Sequence, residues 1–278
     1  MRADGRYLKR IDYFFKIIPH IMPQRCDAQV FTPQRIRADR LMDYVRAQRE
    51  TGRELNYMSV LIAAYVRTVA EHPELNRFVI SRKIYARKYL SVSFAVLREN
   101  EDGVEETTSK VYFEPADTLT VVSDKINRTI DENRKPGVVN ATDKLAATLM
   151  SVPLLPTALV GFLKLLDRVG LLPRAILDAS PFHTSLFFTN MASIRSGYLF
   201  HHLYNFGTTS AFIALGSPEK VLDEKGVSHI VLPLGVTTDE RICPGVKYAT
   251  AFRTLRYYLL HPEALEQPPK EVKADPAL

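Results

Sequence analysis

The sequence predicts an α/β domain in which a mixed β-sheet is flanked by helices, and three observations carry that prediction. A chain of 278 residues with 46% apolar and 24% charged side chains can bury a full core. After Asn56, apolar residues recur at Met58, Leu61, Ile62, Tyr65, Val66 and Val69, the spacing of an amphipathic core helix. Elsewhere strand-like runs and helices alternate without regular βαβ winding, which indicates a mixed sheet with helices against it.

In chain order, residues 1–20 read as an N-terminal extension. Basic residues precede a short apolar stretch there, but Asp12, Lys16 and His20 interrupt it and no small-residue cleavage site follows. Residues 22–30 read as extended, with Phe31-Thr32-Pro33 ending the run. A helix is expected over 38–50, stopped by Thr51-Gly52, and the core helix beginning after Asn56 is stopped by Pro73. Strands are expected at 78–80, 83–86, 90–96 and 107–113, with a loop at 99–106. A second helix covers 119–133 and is ended by Lys135-Pro136-Gly137.

Residues 145–163 carry no charge, which reaches the length of a membrane span, but Pro153 and Pro156 divide them into two short helices. The run is read as an apolar helical hairpin, part of an insertion at about 145–177, that is buried, lid-like or laid on a membrane interface. Strands return at 184–190, 209–215 and 229–236, and a last amphipathic helix covers 246–259. The proline- and charge-rich segment 262–278 reads as a disordered tail.

Lys and Arg (37) exceed Asp and Glu (31), giving a net charge of +6 that favours anionic partners. The charges are scattered apart from short runs such as Arg82-Lys83 and Arg87-Lys88, with no interleaved aromatics, so nucleic-acid binding is not expected. Cys26 and Cys243 make neither a disulfide framework nor a zinc site, no metal is expected, and reduced thiols point to the cytoplasm. The sequence contains no phosphate-binding loop, HExxH or GxSxG motif.

The informative segment is LPLGVTTDERICPGVKYATAFR (232–253), a strand, a sharp turn at Cys243-Pro244-Gly245 and a long helix. It resembles the signature of the chloramphenicol acetyltransferase superfamily, in which a strand leads through His-x-x-x-Asp-Gly into the C-terminal helix. Gly245 sets the register, supported by Cys243 and by Asp239 and Arg241, which resemble the form in the acyltransferase core of 2-oxo-acid dehydrogenase complexes. His72-Pro73-Glu74-Leu75-Asn76-Arg77-Phe78 and Phe187-Phe188-Thr189-Asn190 are similar to two further segments of that family, in the same order. The resemblance covers most of residues 20–260, and places the acyltransferase-like domain at 21–261. It implies the two-layer chloramphenicol acetyltransferase-like fold, a homotrimer with active sites between subunits, and acyl-coenzyme A as substrate.

The same register puts Glu240 at the place of the catalytic histidine, Pro244 at that of the structural aspartate, and Thr189 at that of an oxyanion-binding serine. Thr189 keeps a hydroxyl donor. A free Glu titrates about two units below a free His, roughly 3 kcal/mol of added proton-transfer mismatch, and an adjacent Arg241 would widen it. Glu240 is thus a poorer base or a solvated turn residue. His183 is expected on the same strand face as Thr189 but about 20 Å away. His201 and His202 precede a turn and are either structural or a relocated base, and Cys243 is either packing or a nucleophile. The expected functions are acyl transfer to a small-molecule or lipid acceptor with a modified base, a non-catalytic trimeric binder, and, compatible with either, peripheral contact with a membrane.

Overall fold

A computed structural model describes residues 2–100, 103–135, 139–151 and 156–278. The elements are β1 (Gly5–Tyr7), α1 (Tyr13–Ile21), β2 (Gln29–Arg37), α2 (Asp39–Glu50), α3 (Tyr57–Glu71), β3 (Arg77–Ile80), β4 (Lys83–Arg87), β5 (Leu90–Asn100) and β6 (Gly103–Phe113). There follow α4 (Leu119–Arg134), α5 (Ala141–Met150), α6 (Pro156–Val169), α7 (Arg174–Ala179), β7 (Leu186–Asn190), β8 (Ala211–Leu215), β9 (Glu219–Leu222), β10 (Ser228–Asp239) and α8 (Gly245–Leu260).

The main sheet has the order β2-β10-β8-β7-β5-β6, with β9 also paired to β10. It is mixed as expected, because β7 runs parallel to both β5 and β8 while β10 is antiparallel to β2 and β8. One face of the sheet, with Val92, Phe94, Leu186, Phe188, Ile213, Leu234 and Val236, forms the core with α3. Asn56 caps α3 by accepting from the Ser59 N–H at 2.8 Å, and residues 58–70 of that helix are buried. Nearly the whole circumference is buried, so α3 runs through the interior and has no solvent-facing side of the kind an amphipathic helix keeps.

Alternate residues of the same strands point to the second face. Phe187 and Phe212 stack there with ring centroids 5.0 Å apart, under Leu203. The chain at 197–204 lies against this face, and close approach requires Gly235: a Cβ there would sit 2.0 Å from the Leu199 carbonyl oxygen. The α5–α7 insertion closes around Leu163, Leu172 and Leu177 and is fastened by Arg2, which bonds Asp167, and by Lys110, whose ammonium donates to the carbonyls of Leu177 and Ser180. Pro156 opens α6, where its missing N–H costs nothing; Pro153, Pro136 and Gly137 lie outside the described residues.

The structure corrects several local expectations. Pro33 does not end the extended run, because β2 is an edge strand and tolerates a residue that cannot donate to a further neighbour. The loop expected at 99–106 is largely the end of a long hairpin, in which Leu90 pairs Phe113 and Asn100 pairs Gly103. The N-terminal extension is built in, β1 pairing β4 in a separate small sheet of order β1-β4-β3. The C-terminal segment, expected to be disordered, is held against the body: Arg77 donates to both Asp275 oxygens at 2.6 Å, and Ala277 is buried.

Candidate functional site

The turn after β10 is organised by charges sealed from water. Asp239 is completely buried and accepts from Arg241 through Nε at 2.8 Å and Nη2 at 2.7 Å, while Arg25 Nε approaches it to 3.5 Å. Arg241 spends its remaining Nη1 on the carbonyls of Met22 and Pro23, and Tyr248 donates its hydroxyl to the Asp239 carbonyl. Burial lowers the Arg25 pKa to about 10, opposed by the nearby Asp239 carboxylate. Arg77 adds a bond from Nη1 to the Ile242 carbonyl. The polar anchoring absent at Pro244 is therefore supplied by Asp239, Arg241 and Arg77, and Arg241 is turned inward instead of toward Glu240.

Pro244 caps α8, whose first residue, Gly245, has open space where a Cβ would stand. Between α8, the β2–β10 edge and α1 lies an apolar cleft of about 350 Å³. Phe14, Phe15, Ile18 and Met22 form its α1 wall, with Val30 and Thr32 from β2 and Tyr248, Ala249 and Phe252 from α8. Glu240 lines the same cleft and is exposed; its N–H bonds the Ala28 carbonyl at 2.9 Å, and no cation pairs with its carboxylate among the described residues. The α1 wall was not foreseen, although Asp12, which caps α1 through the N–H groups of Phe14 and Phe15, is the start signal its sequence offers.

Thr189 is not a partner of Glu240 within one chain. It sits on β7, separated from β10 by β8, and the register Thr189↔Ala214↔Gly235 places it five residues short of Glu240, about 16 Å along the strands. Thr189 shares the second face with Phe187, whereas Glu240 lines the cleft with Thr238 and Tyr248 on the helix side. The Thr189 hydroxyl makes only a long contact, 3.9 Å, to the Met191 sulfur, and the neighbouring Asn190 Oδ1 is buried without a hydrogen-bond partner.

The face that carries Thr189 also carries His201. Its ring stacks on Phe212 at 4.1 Å, and Nδ1 lies 2.9 Å from the His202 carbonyl, so Nδ1 holds the hydrogen and Nε2 remains basic. Burial lowers the His201 pKa, favouring the neutral ring. His202 is exposed, its ring 4.6 Å from that of His201.

His183 is not on the strand. It lies in the turn before β7, buried, with Nδ1 2.7 Å from Ser180 Oγ and Nε2 3.3 Å from Asp167, where it helps fasten the insertion. Cys243 is completely buried and its thiol is pushed up to about 12 by burial, so it packs and does not attack. Lys110 was missed: burial pushes its amine down to about 7, and only the tertiary fold creates that environment.

No protein-family model matches the sequence, and no curated protein matches it. Solved structures do. The cubic core of a pyruvate dehydrogenase multienzyme complex superposes with a TM-score of 0.58 at 14% identity, covering 90% of this chain and 87% of the other. A probable dihydrolipoamide acetyltransferase from Listeria monocytogenes gives 0.56 at 16% identity over 97% and 98%. A chloramphenicol acetyltransferase gives 0.57 at 10% identity over 92% and 99%. These identities speak to architecture alone, and the mixed sheet, the helix layer and the strand–turn–α8 unit agree with it: the chain has the chloramphenicol acetyltransferase-like fold of the 2-oxo-acid dehydrogenase acyltransferase cores.

Proposed function

We propose that the protein is a cytoplasmic, homotrimeric, CoA-dependent acyltransferase-like protein that moves an acyl group from a thioester to a small-molecule or lipid acceptor, with peripheral membrane contact through the α5–α7 insertion. The observation that carries this reading is the apolar cleft with Glu240 in its wall, formed where the superfamily signature falls. Its apolar lining suits an acyl chain or a lipid acceptor better than a sugar or nucleotide.

Glu240 takes the proton of the acceptor as the acceptor attacks the thioester carbonyl. The tetrahedral oxyanion is held by the Thr189 hydroxyl, and collapse expels the CoA thiolate, which recovers the proton from Glu240. Because Thr189 and Glu240 of one chain are on opposite sides of the sheet, the two halves of the site come from different subunits, which agrees with a trimer. Asp239 and Arg241 are buried and shape the turn without touching substrate, while Gly245 lines the cleft.

A second reading, a non-catalytic trimer that binds a ligand in the same cleft, is favoured because no group among the described residues orients the Glu240 carboxylate. Titration of CoA and acetyl-CoA with the oligomeric mass recorded, followed by thiol-release turnover of wild type and Glu240→Gln, separates the two. Saturable binding to a trimer with turnover lost in the variant supports transfer; turnover unchanged in Glu240→Gln removes Glu240 as base; binding without any turnover leaves the ligand binder.

A further inference from the structure

The outer surface of α6 and the β3–β4 turn form one composite patch. Phe162, Leu165 and Val169 recur along α6 at intervals of three and four residues and are 54%, 55% and 60% exposed, while Leu163 and Leu166 take the packed side. Lys164 and Arg168 stand among them, also exposed and without an ion pair among the described residues. The tertiary fold brings a second pair of cations alongside: Ser81 Oγ donates to the Arg168 carbonyl at 2.9 Å, and Arg82 and Lys83 follow directly in that turn, exposed and without an ion pair among the described residues. Lys83 reaches over the ring of exposed Tyr7, 5.9 Å from its centroid.

Two features show that this segregation is specific. The acids of the same region, Asp4 and Asp167, are both drawn inward onto Arg2, so the outward charge of α6 and the turn is entirely positive among the described residues. The turn itself uses Ser81 and Arg82 at φ 49° and 60°, where two-residue hairpins favour Asn and Gly, so a cation is kept at a tip that local backbone preference would give to a small residue.

We propose that this patch docks on an anionic phospholipid surface, with Phe162, Leu165 and Val169 entering the acyl boundary and Lys164, Arg168, Arg82 and Lys83 against the phosphates. A nucleic acid would answer the cations and leave the three apolar side chains in water. A second copy docking isologously would set cations against cations. The proposal deepens the peripheral membrane contact above and is independent of acyl-transfer chemistry.

The test is co-sedimentation of the full chain, without acyl-CoA, with vesicles of phosphatidylcholine alone or of equal parts phosphatidylcholine and phosphatidylglycerol. Binding to the mixed vesicles only is expected, weakened about thirtyfold by Arg82→Gln with Lys83→Gln, and by Phe162→Gln with Leu165→Gln to a comparable or greater extent. Circular dichroism and light scattering check that the variants keep fold and oligomeric mass. The proposal is overturned by equal binding to neutral vesicles, by no pelleting, by tighter binding to duplex DNA than to vesicles, or by dissociation of the oligomer in the Phe162/Leu165 variant. Each result is read without turnover, so failure of the acyltransferase reading would be seen separately in the thiol-release assay.

Discussion

Asp239 and Arg241, two residues apart at the end of β10, hold each other in a buried bidentate ion pair at 2.8 and 2.7 Å that closes the turn into α8. Removing Arg241 leaves the buried Asp239 with only Arg25 at 3.5 Å, and removing Asp239 leaves two buried guanidinium groups facing each other without a carboxylate. Arg241→Ala or Asp239→Ala is therefore expected to destabilise the fold by about 3–5 kcal/mol, read by urea denaturation, and an effect below about 1 kcal/mol would show that water reaches the pair.

A site divided between subunits can be complemented. Glu240→Gln and Thr189→Val are each expected to lower turnover by a hundredfold or more. Mixed trimers assembled from equal amounts of the two inactive chains should recover about a quarter of wild-type activity, the fraction of interfaces receiving one intact residue from each side. No recovery would place both residues in a single-chain site or remove one of them from the chemistry.

His201 offers a competing base on the Thr189 face. With Glu240 as base, His201→Asn should keep turnover within about tenfold of wild type; a loss as large as that of Glu240→Gln would transfer the role to the imidazole.

The two cysteines differ in burial, and their reactivity should follow. Ellman's reagent is expected to titrate exposed Cys26 in the native protein and to reach Cys243, whose thiol burial raises to about 12, only after denaturation. Rapid modification of both thiols in the native state would contradict a packed Cys243.

Lys110 titrates near 7 in the folded chain and near 10.4 when free, so between these values the unfolded chain binds more protons. Its penalty on folding is full below about pH 7 and fades as the pH rises. Stability is expected to climb from pH 7 to pH 9, and Lys110→Met should flatten that climb; an unchanged slope in the variant would assign it to other groups.

What could be read without the fold was local. The periodicity from Met58 to Val69 specified α3 because a helix buried along its length repeats its apolar residues with the helical period, and the strand–turn–helix at 232–253 kept its order. Glu240 and Thr189 were named by the resemblance of their segments to the chloramphenicol acetyltransferase superfamily, and not by periodicity. Their relation could not be read, since it depends on β8 lying between β7 and β10 and on which way each side chain points from the sheet.

The sequence by itself determined the fold class, its core helices and the strand–turn–helix at 232–253, all set by hydrophobic period and backbone stereochemistry within short windows. The tertiary structure alone decided that Arg241 reaches the carbonyls of Met22 and Pro23, that α1 walls the cleft, that Asp275 returns to Arg77, and that Arg82 and Lys83 meet α6. The physical reason is distance along the chain: the partners that pack or pair with these residues come from segments that no local pattern links, and strand register and helix packing select them only when the whole chain has folded.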